Sequence, residues 1–306
     1  MKTEAQLSLN NFDQAAENKR EIKEWHRIAR RFFRNPGAVI GAILVLITVL
    51  CAVASPMLAP LDPIKGGLSE RLAHPTFSGG AAGHHWLGAD AVGRDLLSRI
   101  IYGARISLFV GIASAAVSAV IGVLFGLLSG YFGGWVDDLL MRIGDIKLAF
   151  PFILLAILVM ATFGTGLGKL IFILGITGWV GFARVVRGQV LTIKELEYVQ
   201  AARSVGGTHL RILWKHILPN VMSPVIVLVT LNIANNILLE AGLTFLGLGV
   251  DPTIPSWGGM LADGRLYVSS AWWVATFPGV AIMLTVLGFN LLGDWLRDEL
   301  DPNLRV

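Results

Sequence analysis

The chain has 306 residues, 54% of them hydrophobic and only 15% charged, with a mean hydropathy of +0.66 and a formal net charge of +4. Soluble domains carry about 25% charged residues, so this composition excludes an ordinary soluble domain and indicates an all-α polytopic membrane protein. The basic balance reflects Lys and Arg gathered in a few polar segments, and no nucleic-acid partner is expected.

Residues 1–36 form a polar N-terminal segment holding eight of the 25 Lys and Arg residues. Within it Ile22, Trp25, Ala29 and Phe32 share one helical stripe among basic residues. That pattern fits an amphipathic helix on the membrane surface, and it fits a solvated, topology-setting segment equally well. The charge-free run Asn35 to Leu61 places a first span at 37–61, long enough to remain as an anchor rather than a cleaved signal peptide. Cys51 is the single cysteine, so no disulfide framework is expected.

An external loop over 62–105 ends in AVGRDLLSRIIYGARISL. Leu96, Leu97, Ile100 and Ile101 group together there while Arg94, Asp95, Ser98 and Arg99 point elsewhere, which predicts a short helix at the outer interface. His74, His84 and His85 lie in the same loop, read as polar loop residues rather than metal ligands. No metal site is expected.

Residues 106–293 hold five further spans. Charge-free runs cover Ile106 to Val136, Leu148 to Gly168, Ile217 to Leu239 and Leu266 to Gly293, while Leu170 to Val190 is interrupted by Arg184 and Arg187, whose long side chains can snorkel. Six membrane helices follow. Gly111, Gly122, Gly126 and Gly130 suit close helix packing. Asp137, Asp138, Arg142 and Asp145 are explained by ion pairs three and four residues apart. The segment Gly164 to Leu170 has the wrong spacing for a phosphate-binding loop and reads as a tight turn. No catalytic constellation is visible, so neither catalysis nor a bound cofactor is expected of this chain.

The placement of Lys and Arg puts 18 of 25 on the cytoplasmic side, against the votes of Arg94, Arg99 and Arg105. Both termini, including the tail 294–306, are then cytoplasmic.

The loop 191–218 is the polar stretch between spans. Thr192 and Glu195 match a capping box, predicting a helix from Ile193 to Val205. Tyr198, Ala201, Ala202 and Val205 recur on one face of small bulk, suited to close approach by another protein. Gly206 and Gly207 supply a left-handed stop, and Thr208 caps a second helix through Arg211, Trp214 and Lys215 to Pro219. In the fifth span Asn232, Asn236 and Glu240 repeat every four residues with Asn235 beside them. Lipid exposure would be costly, leaving two readings open: a translocation path or hydrogen bonding between helices.

Gln200-Ala201-Ala202, then Gly206 and Leu218-Pro219, resemble the EAA loop of permease subunits in binding-protein-dependent ABC importers. Gln200 stands where that motif has Glu, and His216 where it has Ile. The blocks LGADAVGRDLLSRIIYGARISL from Leu87, LEAGLTFLGLG from Leu239 to Gly249, and Pro255-Ser256-Trp257-Gly258 resemble the C-type permeases of dipeptide, oligopeptide and nickel importers. The resemblance implies a type I ABC importer permease fold with a cytoplasmic coupling helix. It makes Tyr198, Gln200, Ala201, Ala202, Arg203, Val205, Gly206, Gly207, Leu218 and Pro219 the ATPase-coupling residues. It further implies a second homologous permease subunit, two cytoplasmic ATPase subunits that bind ATP and Mg, a periplasmic solute-binding protein, and a bacterial inner membrane. Peptide is the expected substrate, with nickel or another small solute as the alternative. An ion-coupled secondary transporter would show inverted repeats, and none is visible.

Overall fold

A computed structural model describes residues 26–76 and 85–300, and among these the regular structure is helical. The first span, α1 (Pro36–Val53), starts where Asn35 Oδ1 accepts the Ala38 amide at 3.1 Å and Pro36 occupies the first turn. It ends earlier than residue 61, and a single turn at Ser55–Leu58 carries the chain outward.

The second span, α2 (Leu96–Phe132), is capped by Asp95, which accepts the Ser98 amide at 2.8 Å. Its 37 residues extend about 55 Å at the helical rise. The expected interfacial helix is therefore not a separate element. It forms the first turns of α2, because the Asp95 cap lets one helix run unbroken through Arg105, and Ser98 and Arg99 are buried together with Leu96.

The third span is broken. α3 (Gly134–Ala149) and α4 (Phe152–Phe163) meet at 86°, with Phe150 extended before Pro151. At 12 residues α4 is about 18 Å long, too short to cross a bilayer core alone. α5 (Leu167–Ile193) follows, then a short loop helix α6 (Glu197–Ser204), α7 (Leu218–Phe245), α8 (Trp257–Gly264) and α9 (Trp273–Leu300). Among the described residues five helices are long and apolar enough to span a membrane, and six crossings result if the bent pair counts as one. The tail expected from residue 294 begins inside α9, which continues to Leu300.

α2 is the centre of the bundle. A Cβ on Gly126 would lie 2.7 Å from the Ala183 carbonyl, and one on Gly130 would lie 2.7 Å from Val190, so α5 packs directly on the α2 backbone. Gly111 admits Ile237 of α7 in the same way. The packing role expected of these glycines is the one they fill, since apolar side chains gain little by leaving lipid and close approach must hold the helices together. α1 lies on α9, where Thr48 and Thr285 share a buried hydrogen bond of 3.0 Å. Residues 26–34 are helical and dock on the end of α9, with Phe32 edge-on to Trp295 at 5.0 Å and Arg31 3.1 Å from Glu299. Of the expected amphipathic stripe, Phe32 thus meets protein, while Ile22 and Trp25 lie outside the described residues.

Candidate functional site

The loop after α5 departs from its expected start. Thr192 sits inside the last turn of α5 and its hydroxyl bonds back to the Gly188 carbonyl at 3.3 Å, so no capping box forms with Glu195. Burial of Ile193 carries α5 one turn beyond the expected boundary, and the chain turns only at the extended residue Leu196. α6 begins at Glu197 and has eight residues.

Val199 anchors α6. It is buried among Val190, Ile193, Ile212, Ile217 and Val221. The expected small-residue face turns away from the bundle: Tyr198 and Ala201 are exposed, Val205 is 88% exposed and Ala202 is half-buried. Leu196, Leu210 and Trp214 are exposed near it, giving an apolar platform at this loop.

The stop of α6 is a Schellman turn, with Gly206 N–H donating to the Arg203 carbonyl and Gly207 N–H to the Ala202 carbonyl, both at 3.0 Å. Only Gly206 is left-handed, at φ +83°. Gly207 is needed for space, because a Cβ there would sit 2.7 Å from the Ala202 carbonyl. Thr208 then caps the next turn, accepting the Arg211 amide at 3.4 Å. Residues Leu213–Ile217 form a π-turn ahead of Pro219, which has no amide to donate to the preceding turn. Asn220 Nδ2 donates to the His216 carbonyl at 2.7 Å and to the Tyr198 hydroxyl at 3.2 Å, tying α6 to the start of α7. Of the remaining expected coupling residues, Arg203 and Pro219 are exposed and Leu218 is half-buried.

Gln200 is engaged within its own loop. Its Nε2 donates to the Glu195 carbonyl at 3.1 Å and to the Glu195 carboxylate at 3.4 Å. A glutamate at this position has no proton to donate and would face Glu195 with like charge. The two residues also wall a cavity of about 550 Å³ between α6 and the end of α2 at Tyr131 and Phe132.

Behind the loop, charged pairs cross between helices. Arg187 holds Asp137 through two bonds, Nε to Oδ1 at 2.6 Å and Nη2 to Oδ2 at 2.5 Å, while Arg184 lies 2.7 Å from Asp145. The local pairing expected of Arg142 does not form, since among the described residues it pairs with neither Asp138 nor Asp145. The α3–α5 packing brings complementary charges face to face, so Arg184 and Arg187 each meet a carboxylate on the neighbouring helix.

Within the membrane Glu240 is fully buried and accepts from Ser107 Oγ and Thr244 Oγ1, each at 2.9 Å. Asn236 donates to Ser114 Oγ at 2.8 Å and to Asn232 Oδ1 at 3.1 Å. Asn235 is exposed and Asn232 half-buried. The four polar residues therefore divide, two facing α2 and two nearer the surface. Ser107 and Ser114 were missed in the sequence, although with Gly111 and Ser118 they form a small-residue stripe at helical spacing along α2.

At the end of the bundle opposite α6, Asp90 accepts from the Val92 and Arg94 amides at 2.9 Å, from Arg94 Nε at 2.7 Å and from Arg99. Burial pushes its carboxyl up, yet those amides and guanidinium groups hold it below the usual range. His85 lies between Asp95 on Nδ1 and Glu70 on Nε2, each 3.0 Å away. Burial disfavours its charge, but the two carboxylates outweigh that and hold its pKa above the ordinary value. His74 packs on Trp273, and His84 lies outside the described residues. Among the described residues no cluster of His, Cys, Asp and Glu could hold a metal.

Comparison with known proteins gives a consistent answer. Residues 122–306 match the family described as binding-protein-dependent transport system inner membrane component, and residues 23–75 match the N-terminal TM domain of oligopeptide transport permease C. The chain is 43% identical over 281 residues to the glutathione transport system permease proteins GsiD of Escherichia coli O157:H7 and Shigella sonnei strain Ss046, covering 92% of this chain and 91% of theirs. Two crystal forms of the inward-facing MetNI methionine ABC transporter share the fold, with a TM-score of 0.54 and 19% and 20% identity over 67% of this chain and 98% of theirs. The architecture is that of a type I ABC importer permease.

Proposed function

Because the chain belongs to the family of binding-protein-dependent transport system inner membrane components, we propose that it forms half of the translocation pathway of an ATP-driven peptide importer. The observation that carries this reading is the exposed platform of Tyr198 and Ala201 on α6 and Val205 at its cap, an apolar surface that a partner must cover. One of two cytoplasmic ATPase subunits, which bind the ATP and Mg, would dock there. A second homologous permease would complete the path, and a periplasmic binding protein would deliver the solute. The Lys and Arg distribution supports cytoplasmic termini and a bacterial inner-membrane location.

Coupling needs a stiff element whose contacts differ between two global states. α6 is suited to that. Val199 roots it in the bundle, the Schellman turn fixes its end, and the Tyr198–Asn220 bond carries its displacement into α7. α7 in turn is pinned to α2 through Asn236 and Glu240, so the helices would move together. Asn235 lies exposed among apolar residues of α7, where lipid contact would be costly, and we assign it and Asn232 to the path or the second permease. The 43% identity to glutathione permeases supports a small peptide as solute.

An Ala201→Trp variant tests the reading, because its exposed position tolerates bulk without disturbing the fold. The expected result is loss of ATP-dependent peptide uptake, or of ATPase co-purification, at unchanged thermal stability. Normal uptake and normal co-purification would refute the assignment. Uptake driven by an ion gradient without ATP would refute the importer class as a whole.

A further inference from the structure

We propose that the cavity at the outer end of the bundle is a binding subsite for the carboxylate of a small peptide, received by Arg265. The cavity measures about 480 Å³ and lies between the end of the first external loop, the outer end of α7 and the α8 segment. Pockets of about 300–1,000 Å³ accommodate small organic ligands. The inference rests on the peptide-importer reading and adds to it a place and a chemistry for solute contact.

One observation points to an anionic ligand. Arg99 lines the cavity but is 2% exposed, spends its terminal nitrogens on Asp90 and Asp263, and keeps its Nε sealed from the cavity, so it offers a ligand no free donor. Arg265, on the same wall, is held over the Phe245 ring at 5.4 Å and forms no ion pair among the described residues. The other two arginines are neutralised locally, because Asp90 and Asp263 stand against Arg94 and Arg99. Arg265 is therefore a cation already oriented and still unmatched. Asp251 on the rim is turned to Thr253 in its own loop and offers a negative charge toward a peptide's ammonium end.

The test uses the assembled permease pair with its ATPases in lipid nanodiscs, without binding protein, and measures binding of trialanine and trialanine amide by calorimetry. Trialanine should bind at least about tenfold more tightly than its amide, the ratio expected for one charge-assisted contact. Arg265→Ala should abolish that preference, and Arg265→Lys should restore part of it. Equal binding of acid and amide, no saturable binding, or a preference unaffected by Arg265→Ala would overturn the proposal. If Arg265→Ala instead weakens only docking of the binding protein, the occupant is an acidic side chain of that protein and the solute subsite is refuted. ATP-driven uptake by the complete importer is measured in parallel. Peptide uptake without an Arg265-dependent carboxylate preference removes this inference alone, whereas absence of any peptide uptake removes the functional reading beneath it.

Discussion

The two ends of this bundle invert the usual placement of side chains. At the α6 loop, Leu196, Tyr198, Val205 and Trp214 are exposed, while at the opposite end Asp90, Asp95 and Arg99 are almost fully enclosed. The difference lies in what each end must do. Apolar groups left exposed on and around a helix of eight residues form a surface awaiting a partner, and the anchoring of that helix falls to one buried valine and a backbone turn. Charged groups taken out of water hold only if they satisfy each other, and Asp90 with its four donors makes the outer end a self-contained mount.

Substitutions at the two ends should therefore fail in different ways. The largest effect is expected for Asp90→Ala, which leaves Arg99 buried without its main partner and should cost about 3–5 kcal/mol in denaturant unfolding. A loss below about 1 kcal/mol, the level of an exposed pair, would contradict the enclosed network. Ala201→Trp at the other end should leave stability within about 0.5 kcal/mol and act on transport alone. A comparable fall in unfolding midpoint for both variants would dissolve the contrast between mount and platform.

A third measurement concerns His85. Burial works against its charge, but Asp95 and Glu70 raise its native pKa, so its stabilisation should be fully present below the unfolded imidazole value of about 6.5 and fade as pH climbs through the raised native value. His85→Gln should flatten that part of the stability profile. An unchanged profile would mean that the loop does not depend on the imidazolium. The smallest effect is expected at Gln200. Gln200→Glu places a second carboxylate against Glu195 and should destabilise α6 by about 0.2–0.5 kcal/mol, read as faster proteolytic nicking of the loop. Adding Glu195→Gln should reverse it, and a double variant nicked as fast as the single one would show that the two side chains do not interact.

Much of the cytoplasmic loop was legible in order of residues. Gly206, Thr208 and the exposed Tyr198–Ala201–Val205 face follow from local rules that act within a few residues. The start of α6 was not legible, because a capping box at Thr192 competes with burial of Ile193, and burial prevailed. Gln200's partner was hidden for a related reason: Glu195 lies before the helix begins, at a separation that no helical period brings together. The bend at Pro151 was open to inspection within its charge-free run, since proline in a helix interior ends or kinks it.

By itself the sequence determined which segments are apolar enough to enter a membrane, which are polar and where small residues line a helix. The bilayer enforces helix formation and leaves local periodicity to choose each face. Tertiary structure alone decided the pairings: Arg187 with Asp137, Arg99 with Asp90 and Asp263, Asn236 with Ser114 and Glu240 with Ser107. Most of these partners lie far apart along the chain, on different elements. Their choice depends on which helix faces which, and that is settled by close packing of glycine-lined surfaces rather than by any pattern within one segment.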